Sequence, residues 1–295
     1  MGSSRSAHVL GWLVLTLLAL AQPPGQVAAD TKFDLVANPA RFLARATQAY
    51  TDEFPLGQVQ NQAYGYLFPQ GAFFWLFGWL PDWLTQRAWW ALLLYALSPR
   101  ILTTLTAISS EAWPVVLVPW TLVPLVQRRP QVAPAVVAVA CMGAVNATAT
   151  LAACLPAGLV LLWRRAGKTG LVWLAGCAAV SAWWITPLLI LGRYAPPFTE
   201  FIESAGVTTR WLNLAEILRG TTSWAPFVDT ERVAGNELAT EPVFVLVTVA
   251  VAALGLIGLA RLPREWAFML LVGVAVLYPA RGRHPRCAWP QSPHH

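Results

Sequence analysis

A chain of 295 residues is long enough for one large soluble domain, but 57% hydrophobic and only 12% charged residues leave too little polar surface to cover one. With a mean hydropathy of +0.53, the composition is that of an integral membrane protein. The net charge of +6 comes from short groups of Lys and Arg at the ends of apolar runs, which suits helix anchoring and excludes nucleic acid as a partner.

In chain order, Arg5 precedes the apolar run His8 to Ala21, and Val27-Ala28-Ala29 resembles a signal-peptidase site. The run is therefore a first membrane helix or a cleaved signal, and both readings put Asp30 outside the cytoplasm. A polar island follows from Ala29 to Pro69, holding Asp30, Asp34, Asp52 and Glu53 of the fourteen acidic residues. Within it Asn38-Pro39 reads as a helix cap followed by proline at the first helical position. Beyond the cap, Phe42, Leu43, Ala46 and Tyr50 share one face and Arg41, Arg45 and Gln48 the other, which predicts a short helix lying in the membrane interface.

Tyr64 to Leu80 is the next apolar run, closed by Pro81-Asp82, and Ala88 to Leu105 follows after Arg87. Arg100, embedded in that second run, either snorkels from a helix end or marks a polar cavity. Ser109-Ser110-Glu111 separates it from Trp113 to Val126. Val132 to Trp163 is too long for one ordinary crossing, and Arg128, Arg129, Arg164, Arg165 and Lys168 flank it on both sides. A hairpin of two short or tilted helices turning near Asn146 satisfies that charge pattern. The Asn146-Ala147-Thr148 sequon is discounted, because a site at membrane depth escapes modification.

Gly170 to Gly192 is predicted to cross outward into a second polar segment, about residues 193–241. There Trp211, Leu214 and Leu218 repeat at helical spacing and Gly220 is placed to stop the helix. Pro242 to Ala260 returns, Arg261 and Arg264 lie inside, and Trp266 to Ala280 starts outward again. Residues 281–295 hold three of the four histidines without hydrophobic periodicity and read as a disordered or non-native tail. Sixteen tryptophans suit interfacial belts. Cys141, Cys154 and Cys177 lie in apolar runs without metal-ligand spacing and read, with Cys287 of the tail, as small hydrophobes.

His8 is the one histidine before the tail, so neither a Ser-His-Asp arrangement nor a histidine zinc site can be assembled in the body of the chain. Phosphate-cradling glycine motifs are absent, which disfavours a nucleotide substrate. Carboxylates, arginines and aromatic residues remain. Asp30 and Asp34, four apart, look the same way in a helix and in an extended segment alike; Lys32 joins them only if the backbone is extended. One carboxylate can take the proton from an attacking hydroxyl while its neighbour, a divalent metal ion or Lys32 manages charge on a leaving phosphate; solvated loop acids are the bland alternative. Asn61 to Phe68 can stack on sugar rings or anchor at the membrane boundary, and Trp224 carries the same ambiguity. Glu203 reads on its own as a solvated loop carboxylate.

The stretches ADTKFDLVANPARFLARAT, GQVQNQAYGYLFPQGAFF, ALSPRILTTLTAISSE, MGAVNATATLAACLPA, PPFTEFIESAGVTTRW and RGTTSWAPF resemble the N-terminal membrane part of the actinobacterial α-(1→3)-arabinofuranosyltransferases of the AftD type. The resemblance implies an all-α, multispanning GT-C glycosyltransferase core over residues 1–280, with extracytoplasmic loops at about 29–66 and 193–241, in the plasma membrane. It implies decaprenyl-phosphoryl-arabinofuranose as the lipid-linked donor, arabinan of arabinogalactan or lipoarabinomannan as the polysaccharide acceptor, and inversion by direct displacement. Asp30, then Asp34, are the implied catalytic residues. Lys32, Arg41, Asn61, Gln62, Tyr64, Glu203 and Trp224 are the candidate substrate-binding residues. Between about Leu94 and Ala96 family members carry roughly one more crossing, and beyond Ala280 the family's C-terminal sugar-binding region does not follow, so the chain reads as truncated. The competing expectations are a GT-C transferase of another polyprenyl-linked sugar such as mannose, an inactive fragment, and a non-catalytic membrane scaffold or transporter.

Overall fold

A computed structural model describes residues 2–21, 23–27, 32–48, 50, 62–93, 100–102, 109–194, 213–222 and 233–277, and every regular element among them is helical. The all-α expectation holds. The apolar first run forms α1 (Gly2–Leu20), which lies against α5 (Asp82–Leu93). The chain leaves α1 by an exposed turn over residues 23–27, in which Gly25 takes a φ of 80°. Next come α2 (Phe33–Ala37) and α3 (Pro39–Ala46). As predicted, Asn38 caps α3, its side chain accepting from the Arg41 amide at 3.0 Å, with Pro39 opening the helix.

The apolar face of α3 is spent on protein. Phe42 and Ala46 are buried, and Phe42 meets the edge of Tyr66 at 5.9 Å and 82°. Tyr50 does not belong to that face, because α3 ends at Ala46 and Tyr50 is exposed beyond it.

Tyr64 to Leu80 is one run by hydropathy but not one helix. A 3₁₀ turn (Gln62–Tyr66), a π-type turn (Leu67–Gly71) and α4 (Ala72–Phe77) succeed one another, with Phe68 extended between them (φ −145°, ψ 138°) and a cis Phe68–Pro69 bond. Pro69 lacks the amide a helix needs. Gly71 allows the chain to close up, since a Cβ there would stand 2.5 Å from the Tyr66 carbonyl oxygen.

α6 (Ser109–Val126) is the hub of the remaining helices, lying against α7 (Val132–Ala140) and α8 (Ala147–Trp163). Asn146 caps α8 by accepting from the Ala149 amide at 2.9 Å, so the predicted hairpin turns where expected and the sequon asparagine is a cap. Ala135, Ala157, Leu125, Leu161 and Trp173 fill the core of this layer, the small residues letting backbones approach. α9 (Gly167–Tyr194) follows. After the second polar segment come α10 (Leu214–Arg219), α11 (Val233–Thr240), α12 (Pro242–Leu259) and α13 (Arg264–Leu277). Gly220 ends α10 in the left-handed region, as predicted.

Among the described residues three helices, α6, α9 and α12, are long and apolar enough to span a bilayer. α12 leaves nearly all its apolar side chains exposed and α9 most of its own, which a lipid solvent permits and water does not. The tryptophans divide: Trp12, Trp75, Trp79 and Trp120 are exposed as a belt requires, whereas Trp89, Trp90, Trp173 and Trp184 are core residues. Trp89 stacks on Trp113 at 4.5 Å and 25°, binding α5 to α6.

The α7–α8 turn packs into the broken segment. Gly143, at a φ of 74°, sits where a Cβ would stand 2.5 Å from the Phe68 carbonyl oxygen and 2.8 Å from the Pro69 ring. Gly143→Ala is accordingly expected to cost about 1–3 kcal/mol, through left-handed strain and the clash together. Thermal unfolding of the purified chain in detergent micelles reads this as a lowered Tm. Gly192→Ala, which meets open space in α9, should leave Tm level or raise it.

Candidate functional site

Of the two carboxylates expected to work together, Asp34 is described and Asp30 lies outside the described residues, as do Asn61, Glu203 and Trp224. Asp34 stands in the first turn of α2 and receives Arg45 Nη2, from the last turn of α3, at 2.5 Å. Both side chains are partly exposed, so this pair sets geometry more than stability. Lys32, at the mouth of α2, holds its ammonium 6.0 Å from the Tyr66 ring centroid. The Arg45 guanidinium lies 5.7 Å over Phe42. Lys32 and Arg45 thus lie over the buried rings of Tyr66 and Phe42, and among the described residues Asp34 is the carboxylate they gather around.

Because α2 starts at Phe33, Asp34 follows helical rather than extended geometry. Arg41 is exposed, and its backbone serves the α3 cap. Gln62 opens the 3₁₀ turn; Tyr64, two residues on, is half-buried, and burial pushes its phenol above the usual range. Tyr64 therefore stays protonated at neutral pH and can donate a hydrogen bond. Arg45 and Tyr66 were not singled out by sequence reasoning, because nothing in the spacing marks a partner eleven residues from Asp34.

A second polar gathering resolves the choice left open for Arg100. Its Nη2 donates to Glu111 Oε1 at 2.8 Å and its Nη1 to Thr222 Oγ1 at 3.5 Å, so the arginine marks a polar interior site. Glu111 was read as part of a separator; the structure starts α6 at Ser109 and buries Ser109 and Ser110 completely. Ser109 Oγ accepts the Trp89 indole N–H at 3.2 Å. A carboxylate in the first turn of a long apolar helix suits the helix dipole, and that signal was available in the sequence.

Thr222 belongs to the second polar segment, and its neighbour Thr221 continues the network. Thr221 Oγ1 donates to Glu216 Oε2, and Glu216 Oε1 accepts from Arg219 Nη1 at 2.7 Å. The buried Arg219 also donates to Thr248 Oγ1 at 2.8 Å and to the carbonyls of Leu238 and Ala239 at 3.3 and 3.2 Å. Two polar clusters, Arg219–Glu216–Thr221 and Thr222–Arg100–Glu111, therefore meet at adjacent residues of the chain, joining α10, α11 and α12 to the start of α6. Among the described residues no three His, Cys, Asp or Glu side chains come together as a metal site.

A family model described as α-(1→3)-arabinofuranosyltransferase, N-terminal GT-C domain, matches residues 14–95 and 92–288. The two parts meet where the sequence reading expects the family's further crossing. A curated α-(1→3)-arabinofuranosyltransferase of Mycolicibacterium smegmatis is 46% identical over 88% of this chain, and one of Mycobacterium tuberculosis is 46% identical over 93%. The chain spans 22% and 23% of the length of these relatives. A cryo-EM structure of the arabinofuranosyltransferase AftD from Mycobacteria aligns over 92% of this chain and 26% of that one, with a TM-score of 0.62 and 33% identity. An R1389S mutant structure of AftD gives a TM-score of 0.63 at 34% identity, over 92% of this chain and 27% of that one.

The Arg219–Glu216 and Arg45–Asp34 ion pairs differ in burial, and their removal should differ accordingly. Glu216→Ala strips a buried guanidinium of its charge partner and is expected to cost about 3–5 kcal/mol. Asp34→Asn, at the exposed pair, is expected to stay within about 1 kcal/mol. Thermal melts in the same detergent compare them, and equal losses would contradict the burial argument.

Proposed function

The chain belongs to the α-(1→3)-arabinofuranosyltransferase family through its N-terminal GT-C domain, and from that membership we propose that it acts in transfer of arabinofuranose from a polyprenyl-phosphate donor to cell-wall arabinan. The observation that carries this reading is the 46% identity to a curated enzyme over 88% of the chain. The proposed donor is decaprenyl-phosphoryl-arabinofuranose and the acceptor is arabinan of arabinogalactan or lipoarabinomannan. Residues 1–280 form the proposed catalytic membrane domain in the plasma membrane.

The distribution of charge supports an extracytoplasmic site. Arg164, at the end of α8, pairs with Glu265 of α13 through Nε at 3.1 Å and Nη2 at 2.9 Å, and its Nη1 donates to the Val126 carbonyl of α6 at 2.9 Å. One end of the bundle therefore gathers Arg164 with the exposed Arg128, Arg129, Arg165, Lys168, Arg261 and Arg264, as the positive-inside rule asks of a cytoplasmic face. Glu111 and the α10–α11 segment stand at the opposite ends of α6 and α12.

In the proposed reaction an acceptor hydroxyl attacks the anomeric carbon of the donor, and its oxygen forms the new glycosidic bond as the bond to phosphate breaks with inversion. Asp30 takes the hydroxyl proton, and polyprenyl phosphate leaves with the electron pair. Asp34, held by Arg45, shapes the surface beside it, and Lys32 offsets charge on the departing phosphate. Asn61, Gln62, Tyr64 and Trp224 offer sugar contacts, and Glu203 and Arg41 serve as further substrate-site groups.

The test is arabinose transfer from lipid donor in membranes containing the chain. Asp30→Asn is expected to lower the rate by about 10²-fold or more at unchanged expression, with Asp34→Asn affecting it less. Full activity in Asp30→Asn removes the assignment of that residue. A failure of wild-type membranes to transfer arabinose, or their preference for a mannose donor, overturns the reading itself.

A further inference from the structure

Arg87 lies on α5, 3% exposed, and no carboxylate among the described residues is paired with it. Its Nη2 donates to the carbonyls of Pro23 at 3.0 Å and Gln26 at 3.2 Å, and the guanidinium lies 5.8 Å from the Trp83 ring centroid. Its Nε and Nη1 are buried without a hydrogen-bond partner. One turn further along the same helix stripe, Trp90 is also buried, with its indole N–H equally unpartnered.

A buried guanidinium with no counter-charge costs several kcal/mol, and neutral carbonyls offset only part of that. The tether on the 23–27 turn needs only Nη2, which leaves the other nitrogens and the charge itself unexplained. All three orphan groups are donors. What complements them is an acceptor-only anion, and a phosphate, with several acceptor oxygens, fits a forked guanidinium better than any neutral group. The seat adjoins α1, whose Leu10, Leu13, Leu17 and Leu18 are exposed and apolar, so an acyl or isoprenoid tail has a surface to follow.

We propose that Arg87 and Trp90 form a seat for a phosphate headgroup carried on a lipid, at the joint of α1 and α5 beneath the 23–27 turn. Binding at this seat is separable from turnover and does not rest on the transfer reading.

The experiment measures binding to the purified chain in detergent micelles, by ligand-dependent rise in Tm, with farnesyl phosphate, dioleoylphosphatidic acid and inorganic phosphate. At least one lipid phosphate is expected to raise Tm. Arg87→Gln should weaken its binding by about 10–100-fold and Trp90→Phe, which keeps an aromatic ring, by about 3–10-fold, as loss of charge-assisted hydrogen bonds predicts. Response to farnesyl phosphate alone identifies an isoprenoid carrier as the source, and response to either lipid a general lipid phosphate. Absence of any response, response to inorganic phosphate alone, or unchanged lipid binding in Arg87→Gln overturns the proposal. If Arg87→Gln does not fold, unchanged binding in Trp90→Phe does so.

Discussion

Hydrocarbon around a helix removes much of the hydrophobic reason for helices to meet, so a membrane chain must make its joints by close packing and by polar groups that cannot be left alone. Here the joints are largely arginines. Arg164 draws the ends of α6 and α8 onto the start of α13. Arg219 holds α10, α11 and α12 together through four acceptors. Arg100 ties the start of α6 to Thr222, and Arg87 fastens the exit of α1 onto α5. Each spans a sequence distance that no local propensity bridges.

Close packing supplies the second kind of joint. The α7–α8 turn enters the broken segment at residues 62–71 only because Gly143 and Gly65 present no side chain; a Cβ on Gly65 would stand 2.8 Å from the Ala144 carbonyl oxygen. Trp113 completes this contact by donating its indole N–H to the Cys141 carbonyl at 2.6 Å. The irregular backbone over residues 62–71 is thus set against protein, the condition under which non-helical backbone is tolerated in such a chain. That places Tyr64 and Tyr66 on a fixed support beside Lys32 and Phe42.

Local signals were legible in the sequence. Asn38-Pro39, Asn146 and Gly220 each act within a few residues of themselves, and each does in the structure what its type and position predict. The hairpin over residues 132–163 was legible because charge at both ends and excess length are properties of the run itself. The broken segment was not, since hydropathy counts Pro69 and the glycines as neutral interruptions while backbone geometry treats them as stops. Glu111 and Arg87 were passed over for a different reason: their partners lie 11 and 64 residues away, and a lone charged residue beside an apolar run reads as punctuation. The resemblance of long segments supplied the family, which spacing alone did not.

The order of Thr221 and Thr222 has a mechanical consequence. Adjacent residues, they engage separate ion pairs, Thr221 the Glu216–Arg219 pair and Thr222 the Arg100–Glu111 pair. A shift of this short stretch therefore disturbs a contact of each pair at once. The second polar segment is fixed on two sides at the point where it leads into Trp224. The described part of that segment is thereby registered against α6 and α12, at the ends of those helices opposite the basic cluster around Arg164.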